Sequence, residues 1–109
     1  MLIVPLCSTA VATPNPLSLP GCATLCVDVF CSGDTDLDLR FEIASGSVTF
    51  DTGSTTAGPF RVHVADGTHQ VCQRLCFVGS EAAIFKVRIC VKEVGTSNES
   101  CCPVNISVR

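Results

Sequence analysis

The cysteines of this chain constrain it more than any other feature. Nine of its 109 residues are cysteine, and most of those in readable β-patterns lie on the polar face of a strand. Residues 85–92 alternate apolar and polar side chains, which places Cys90 on the polar face. Residues 71–77 direct Cys72 and Cys76 outward if their neighbouring apolar side chains face inward. Thiols that point away from the core need partners on that side of the sheet.

The number and spacing of the cysteines favour bonds that leave the chain. A chain of 109 residues is long enough to bury a core without disulfides, and a cysteine content this high is typical of proteins in an oxidising, extracellular environment. Nine is an odd number, so internal bonds leave at least one thiol over. Cys101 and Cys102 are adjacent and are expected to reach two separate partners. We therefore expect the partner to be largely another copy of this chain.

Charge and hydropathy exclude several function classes. The formal net charge is -3, and the basic residues are scattered, so no nucleic-acid partner is expected. No apolar run approaches the roughly 20 residues of a membrane span. Residues 1–12 contain an Ala-Val-Ala segment that mimics a cleavage site but lack a basic region, which makes a poor signal peptide. The extracellular location is then expected without standard secretion or after cell lysis.

Residues 1–20 differ in composition from the rest of the chain. They contain four prolines, no charge and one cysteine, Cys7. Proline at this density favours an extended N-terminal arm, and a disordered tail is the alternative. Because Leu2, Ile3 and Val4 are apolar and Cys7 needs a partner, we expect the arm to dock. We therefore divide the chain into a flexible arm, 1–20, and a β-domain, 21–109.

The β-domain is predicted to be a jelly-roll-like sandwich of seven to eight strands. Short alternating segments follow one another at intervals of 8 to 12 residues, and no helical period is sustained. Asp66-Gly67 is a typical hairpin signal. The main alternative is an immunoglobulin-like sandwich. The absence of tryptophan and the outward cysteines favour the jelly roll. The predicted strands cover residues 25–31, 37–43, 48–50, 60–64, 70–78, 84–94 and 104–108.

Two other uses of the cysteines are open. Cys72 and Cys76 would lie about 13 Å apart along a strand, too far to share a disulfide or a zinc ion, so each needs its own partner. No metal or other cofactor is expected. If the segment after the arm crosses the outer face, Cys22, Cys26 or Cys31 could form internal bonds, which would give a small secreted disulfide domain.

The arrangement as a whole resembles the bacterial endospore appendage (Ena-type) fibre subunits. The resemblance lies in the cysteine-bearing arm, the domain length, the strand order and the turns around Gly46-Ser47-Val48-Thr49 and Asp66-Gly67-Thr68. It covers most of the domain as a pattern, without a signature motif. The family's arm usually holds adjacent cysteines, whereas here the adjacent pair is near the C-terminus.

The resemblance implies that the arm of one subunit bonds to other subunits along a helical fibre. Cys7 would be the hook of the arm. The intersubunit candidates are Cys7, Cys22, Cys26, Cys90, Cys101 and Cys102, and the remaining disulfide candidates are Cys31, Cys72 and Cys76. In such a fibre the sandwiches also add sheet edge to sheet edge.

One catalytic motif stands out. Phe50-Asp51-Thr52-Gly53-Ser54 resembles the active-site loop of aspartic proteases, and a retroviral-type protease is a dimer of chains of about this length. The same residues are ordinary turn formers, and the supporting segment Phe77-Val78-Gly79 follows too soon. We therefore predict no enzymatic activity.

The sequence thus predicts a structural protein at the cell or spore surface. Exposed strand edges template another copy, and a head-to-tail contact that does not close makes a filament. Intersubunit disulfides through the arm would reinforce it. The alternative is a monomeric, disulfide-bonded β-sandwich that serves as an adhesion or binding module.

Overall fold

The computed structural model describes residues 3–109, and eight β-strands account for most of them. Five of the predicted strands begin earlier in the chain than expected, and the first strand was not predicted. The strands are β1 (Ile3–Thr13), β2 (Gly21–Cys31), β3 (Thr35–Ser45), β4 (Val48–Phe50), β5 (Thr56–Val64), β6 (Gly67–Gly79), β7 (Ile84–Glu93) and β8 (Glu99–Ser107).

The strands form two antiparallel sheets of four, so the predicted all-β sandwich is confirmed. The first sheet has the order β1-β2-β6-β4 and the second has the order β5-β3-β7-β8. The sequence β1-β2-β6 opposite β3-β7-β8 corresponds to A-B-E opposite C-F-G of immunoglobulin-type sandwiches. Among sandwich topologies, the order of these strands follows the immunoglobulin-like alternative. Residues 3–109 form no helix that could cross a membrane.

The core lies between the sheets because one side of each strand is apolar. Alternate residues of β2 from Ala23 to Cys31 are buried, and β7 buries Phe85, Val87, Ile89 and Val91. Phe77 lies at the centre of one aromatic group, with its ring centroid 5.2 Å from those of both Phe50 and Phe85. Contacts of this kind bind the two sheets to each other.

The predicted arm is largely a strand. Ile3–Thr13 pairs with β2 as an edge of the first sheet, so residues 3–20 do not form a flexible connector in this structure. The pairing tolerates Pro5 because this residue lies opposite Val29, where the missing N–H would point away from β2. Proline density therefore predicted an extended segment correctly but missed its pairing.

The predicted hairpin at Asp66-Gly67 is also wrong. β5 belongs to the second sheet and β6 to the first, so the chain crosses between sheets at this point. Gly67 has φ of +103°, a conformation that glycine adopts readily. Asp66 and Gly67 correctly indicated a tight turn. The sheet that the next strand joins depends on the whole fold and could not be predicted from these two residues.

Candidate functional site

Two disulfides clamp β2 to β6 on the outer face of the first sheet. Cys22 bonds to Cys76 and Cys26 bonds to Cys72, and both pairs are directly opposite each other in the strand register. Their Cα atoms are 3.9 and 4.1 Å apart. The predicted outward orientation of Cys72 and Cys76 is therefore correct. Each does have its own partner, but the partner lies on the neighbouring strand of the same chain.

A third bridge joins β7 to β8 in the second sheet. Cys90 and Cys101 are opposite in register, with 4.0 Å between their Cα atoms. Four intersubunit candidates, Cys22, Cys26, Cys90 and Cys101, are thus closed within one chain in this structure. The physical reason is strand adjacency, because opposite residues on paired strands bring their thiols within bonding distance.

The fourth bridge differs because it joins the two sheets. Cys7 of β1 bonds to Cys102 of β8 in the same chain, with 5.2 Å between the Cα atoms and a sequence separation of 95. Cys102 is fully buried, whereas Cys7 is exposed. The expectation that Cys101 and Cys102 reach separate partners is therefore confirmed. The bond closes one side of the sandwich, where the edge strands of both sheets meet.

Cys31 forms no disulfide in the structure. Its side chain is fully buried at the end of β2. Burial raises the pKa of this thiol, a change partly opposed by a hydrogen bond with Thr35. The odd cysteine is thus a core residue and is poorly suited to bonding with a second molecule.

The N-terminal strand is attached to its sheet less continuously than the others. Its register with β2 is interrupted between Leu6 and Val11. In this interval the Thr9 hydroxyl accepts a hydrogen bond from the Asp28 N–H at 2.8 Å and donates to the Leu6 carbonyl at 2.6 Å. A side chain therefore replaces a backbone ladder contact next to Cys7.

Residues after β1 dock on β8. The Asn15 side chain donates to the Asn105 carbonyl and accepts from the Ser107 N–H. Buried Leu17 forms two backbone hydrogen bonds, with Ser107 and Arg109. The three residues between Thr13 and Leu17 thus connect β1 to a firmly attached point on the domain.

Proline modifies three of the sandwich edges. Pro5 removes an outward N–H from β1, and Pro59 lies at the irregularity in β5. Pro103 follows Cys101 by two residues on β8. Because the close Cys90–Cys101 pair exchanges no backbone hydrogen bonds, Pro103 also occupies an outward position.

The edge of β6 carries no such protection. β4 covers only Val48–Phe50 and pairs with residues 77–79 of β6. Cys72 and Cys76 form close pairs with β2, so the backbone groups of alternate residues from 70 to 76 point away from that strand. The Cys76 carbonyl accepts from the Asp51 N–H at 3.0 Å. No strand covers residues 67–75 on this side in the part of the chain that the structure describes.

A cleft follows this uncovered edge, between β6 and β5. It consists of two adjoining cavities of about 400 and 480 Å³. Leu75, Val71, Phe60 and Val62 contribute apolar surface to its walls. The cleft is therefore bordered by an unpaired strand edge on one side and by apolar side chains at its base.

The protease-like loop lies at one end of the cleft. Asp51 is exposed in a turn closed by hydrogen bonds from the Phe50 N–H to the Ser54 carbonyl and from the Gly53 N–H to the Phe50 carbonyl. Phe77-Val78-Gly79 pairs directly with β4. The loop is thus an ordinary turn, and among residues 3–109 no second carboxyl group lines this cavity.

The likeness to known proteins lies in the fold. No family model matches this chain, and no curated protein matches it. A solved structure of the Pseudomonas fluorescens alkylpurine DNA glycosylase AlkC, bound to DNA containing an abasic site analog, is similar over 98% of this chain, with a TM-score of 0.56 and 10% identity. The chain spans 30% of the length of that protein. Likeness at this identity concerns the β-sandwich alone.

Proposed function

We propose that this chain is a structural subunit of an extracellular filament, of the kind that endospore appendages exemplify, in which β1 of one copy pairs with β2 of the next. Cys7 of each copy then bonds to Cys102 of its neighbour. The role is mechanical and includes no catalysis. Four disulfides fit an oxidising environment outside the cell.

The observation that carries this proposal is the position of the Cys7–Cys102 bond. The two bridges between β2 and β6 join opposite residues of interior strands, and moving them between copies would dismantle the first sheet. The Cys90–Cys101 bridge holds the C-terminal strand β8 to β7 and stays in place when β1 moves. Cys7 lies on a terminal edge strand, so β1 can leave one sandwich and enter another while every contact stays the same. Exchange of an identical element is a low-cost route to assembly.

The attachment of β1 supports exchange. The interrupted register beside Cys7 weakens its hold on β2, and the contacts of Leu17 keep the following segment on its own domain. Because donor strand and acceptor groove are different surfaces, the contact runs head to tail. Such a contact extends without closing unless the rotation between copies returns to the start.

Isotope mixing tests this proposal directly. Chains grown in ¹⁴N and ¹⁵N media are unfolded, reduced, mixed in equal amounts and refolded under oxidation, and the disulfide-linked peptides are identified by mass spectrometry. We expect the Cys7–Cys102 peptide pair to carry both isotopes in about half of its copies, as random pairing between chains requires. The Cys26–Cys72 pair serves as the internal control and should carry a single isotope.

Gel electrophoresis and imaging complete the test. Without reductant the protein should give a ladder of bands that collapses with thiol, and negative-stain images should show fibres. The double variant Cys7→Ser/Cys102→Ser should abolish the ladder, whereas Cys90→Ser/Cys101→Ser should retain it. If the Cys7–Cys102 pair carries one isotope only, and the wild-type protein runs as a monomer in both lanes, the filament proposal is wrong.

A second candidate function, a monomeric binding module, is favoured by the uncovered edge of β6. Residues 67–75 present unpaired backbone groups beside an apolar cleft, which suits an extended peptide that adds a strand. Gln70→Pro would remove one outward N–H while leaving the ladder with β2 in place. If the protein is a binding module, peptides that the wild-type protein selects from a random library should no longer bind to the variant. Unchanged binding would exclude the β6 edge as the peptide site.

A further inference from the structure

The outer face of the first sheet is apolar for a solvent-facing surface. Val4 and Phe30 are neighbours in the register and are 40% and 43% exposed, and Leu6 lies one row further along. Val11 lies beside Cys26 and is 46% exposed. With the two disulfides, these side chains form the apolar part of a surface that also carries Thr24, Thr68 and Gln70, and we call this surface the clamp face. Contiguous exposed apolar surface marks an interaction site more often than scattered residues do.

The clamp face carries two charges on its three long strands, Asp28 and Arg74. Asp28 is two residues from Cys26 on β2, and Arg74 is two residues from Cys72 on β6. Because the strands are antiparallel, the charges lie on opposite sides of the Cys26–Cys72 bond.

Neither charge is neutralised by a side chain of residues 3–109. Among residues 3–109 neither side chain belongs to a salt bridge. The only side-chain hydrogen bond from the Arg74 guanidinium is a weak one, at 3.9 Å from the sulfur of Cys76. The charged residues of the opposite sheet face, by contrast, are largely paired. The clamp face therefore offers one unpaired acid and one unpaired base.

We propose that two copies of this chain pack clamp face to clamp face about a two-fold axis that passes near the Cys26–Cys72 bond. Rotation about that axis places Asp28 of each copy against Arg74 of the other. A two-fold interface must be self-complementary, and an acid and a base on either side of a central bond meet this condition. Val4, Leu6 and Phe30 lie on the Asp28 side of the central bond, so the same rotation places them over the Arg74 side of the partner, where its Cys22–Cys76 bond lies.

The area of the clamp face indicates how strongly two copies should bind each other. Three strands of about eleven residues cover roughly 500 Å², from a rise of about 3.3 Å per residue and a strand spacing of about 4.8 Å. This area is smaller than the roughly 800 Å² per partner of a standard interface. We therefore expect a weak dimer that forms at high local concentration. The contact does not depend on whether β1 belongs to its own or to a neighbouring copy.

Complementary charge reversal tests the two-fold contact. Dimerisation of full-length protein, taken from the unpolymerised fraction, is measured by sedimentation equilibrium. Asp28→Arg alone should raise the dimer Kd at least about tenfold, because each new arginine then faces Arg74 of the other copy. Arg74→Asp alone should do the same, because it then places two aspartates against each other. A mixture of the two variants should form heterodimers with a Kd close to that of wild type, because each contact then pairs an arginine with an aspartate. Lys86→Glu, on the other sheet, is the charge control and should leave the Kd unchanged.

Several results would overturn the proposal. They are a wild-type protein that sediments as a monomer at every concentration, single variants that dimerise as wild type does, or a mixture that associates no better than its components. Circular dichroism establishes that each variant is folded. If a reversal prevents folding, Asp28→Asn and Arg74→Gln replace it, and each should then weaken the dimer and reduce its dependence on salt. A dimer whose Kd ignores both neutralisations would also exclude the contact.

Discussion

The two sheets hold their neighbouring strands together with different chemistry on their outer faces. The first sheet uses two disulfides between β2 and β6 and has almost no charge there. The second uses ion pairs, in addition to one disulfide near its edge. The pairs are Arg40–Glu42, Arg40–Glu99, Arg61–Asp38, Arg88–Glu42 and His63–Asp36.

The outer face of the first sheet is held together by covalent bonds, whereas the outer face of the second sheet is charged and hydrated. A disulfide is insensitive to salt and moderate pH, whereas exposed ion pairs are weakened by salt and contribute little to stability. The first sheet can therefore expose apolar side chains to a partner without relying on polar contacts for its own cohesion. The charges of the second sheet keep the opposite side of the molecule hydrated.

The largest expected effect is the loss of both disulfides between β2 and β6. A quadruple alanine variant that removes Cys22–Cys76 and Cys26–Cys72 opens a loop of 54 residues, which either bond alone would keep closed. We expect the free energy of unfolding to fall by at least about 4 kcal/mol, the loop-closure entropy of one such crosslink. Urea denaturation without reductant measures this change.

The bridge of the second sheet provides the matched comparison. Cys90→Ala/Cys101→Ala opens a loop of 11 residues, and the same relation gives a loss of about 3 kcal/mol. The first variant should therefore be the less stable of the two. Equal stabilities, or a more stable first variant, would show that the clamps do not act through the unfolded chain.

These clamps also show how far the sequence could lead. Alternation in β6 and β7 predicted the outward direction of Cys72, Cys76 and Cys90, because a strand's side chains face opposite sides in turn. The partners were not predictable in the same way. Cys22 and Cys76 are 54 residues apart, and only the pairing of β2 with β6, a property of the whole fold, makes them neighbours.

The N-terminus shows a related limit. Its prolines indicated extended backbone, and Cys7 indicated a partner, as observed. The strand itself was missed because Pro5 is unfavourable in a central strand and is tolerated only at an outward edge position. The uncovered edge of β6 was equally unpredictable, since it results from the shortness of β4 and from the return of the chain to the other sheet.

A smaller effect is expected from the ion pairs of the second sheet. The Glu42 carboxylate accepts a hydrogen bond from Arg40 and forms an ion pair with Arg88, each at 3.0 Å, and its side chain is three-quarters buried. Glu42→Gln should lower the free energy of unfolding by about 1 kcal/mol. Asp38→Asn is the control and should lower it by roughly a few tenths, because its partner Arg61 is largely exposed. Salt at about 1 M should shrink the difference between the variants, and a difference that grows with salt would contradict an ionic origin.

The smallest expected effect depends on pH and also belongs to the second sheet. His63 Nδ1 lies 2.8 Å from Asp36 Oδ1, and its Nε2 lies 3.8 Å from Asp34 Oδ2. The hydrogen bond with Asp36, together with the charges of both aspartates, raises the pKa of His63 above its usual value of 6.5. The folded chain therefore binds the proton more tightly than the unfolded chain does. The stabilisation is complete below the unfolded pKa and is lost as the pH rises through the folded pKa.

Nuclear magnetic resonance titration of His63 checks this expectation. We expect Asp36→Asn to lower the His63 pKa, because it removes the carboxylate that holds the protonated ring. The thermal midpoint of the wild-type protein should fall slightly, relative to that of Asp36→Asn, as the pH rises from about 6 to about 8. The two disulfides of the first sheet involve no histidine, so variants that lack them should show the same difference in pH dependence with and without Asp36→Asn. A His63 pKa that Asp36→Asn leaves unchanged would show that this ion pair does not form in solution.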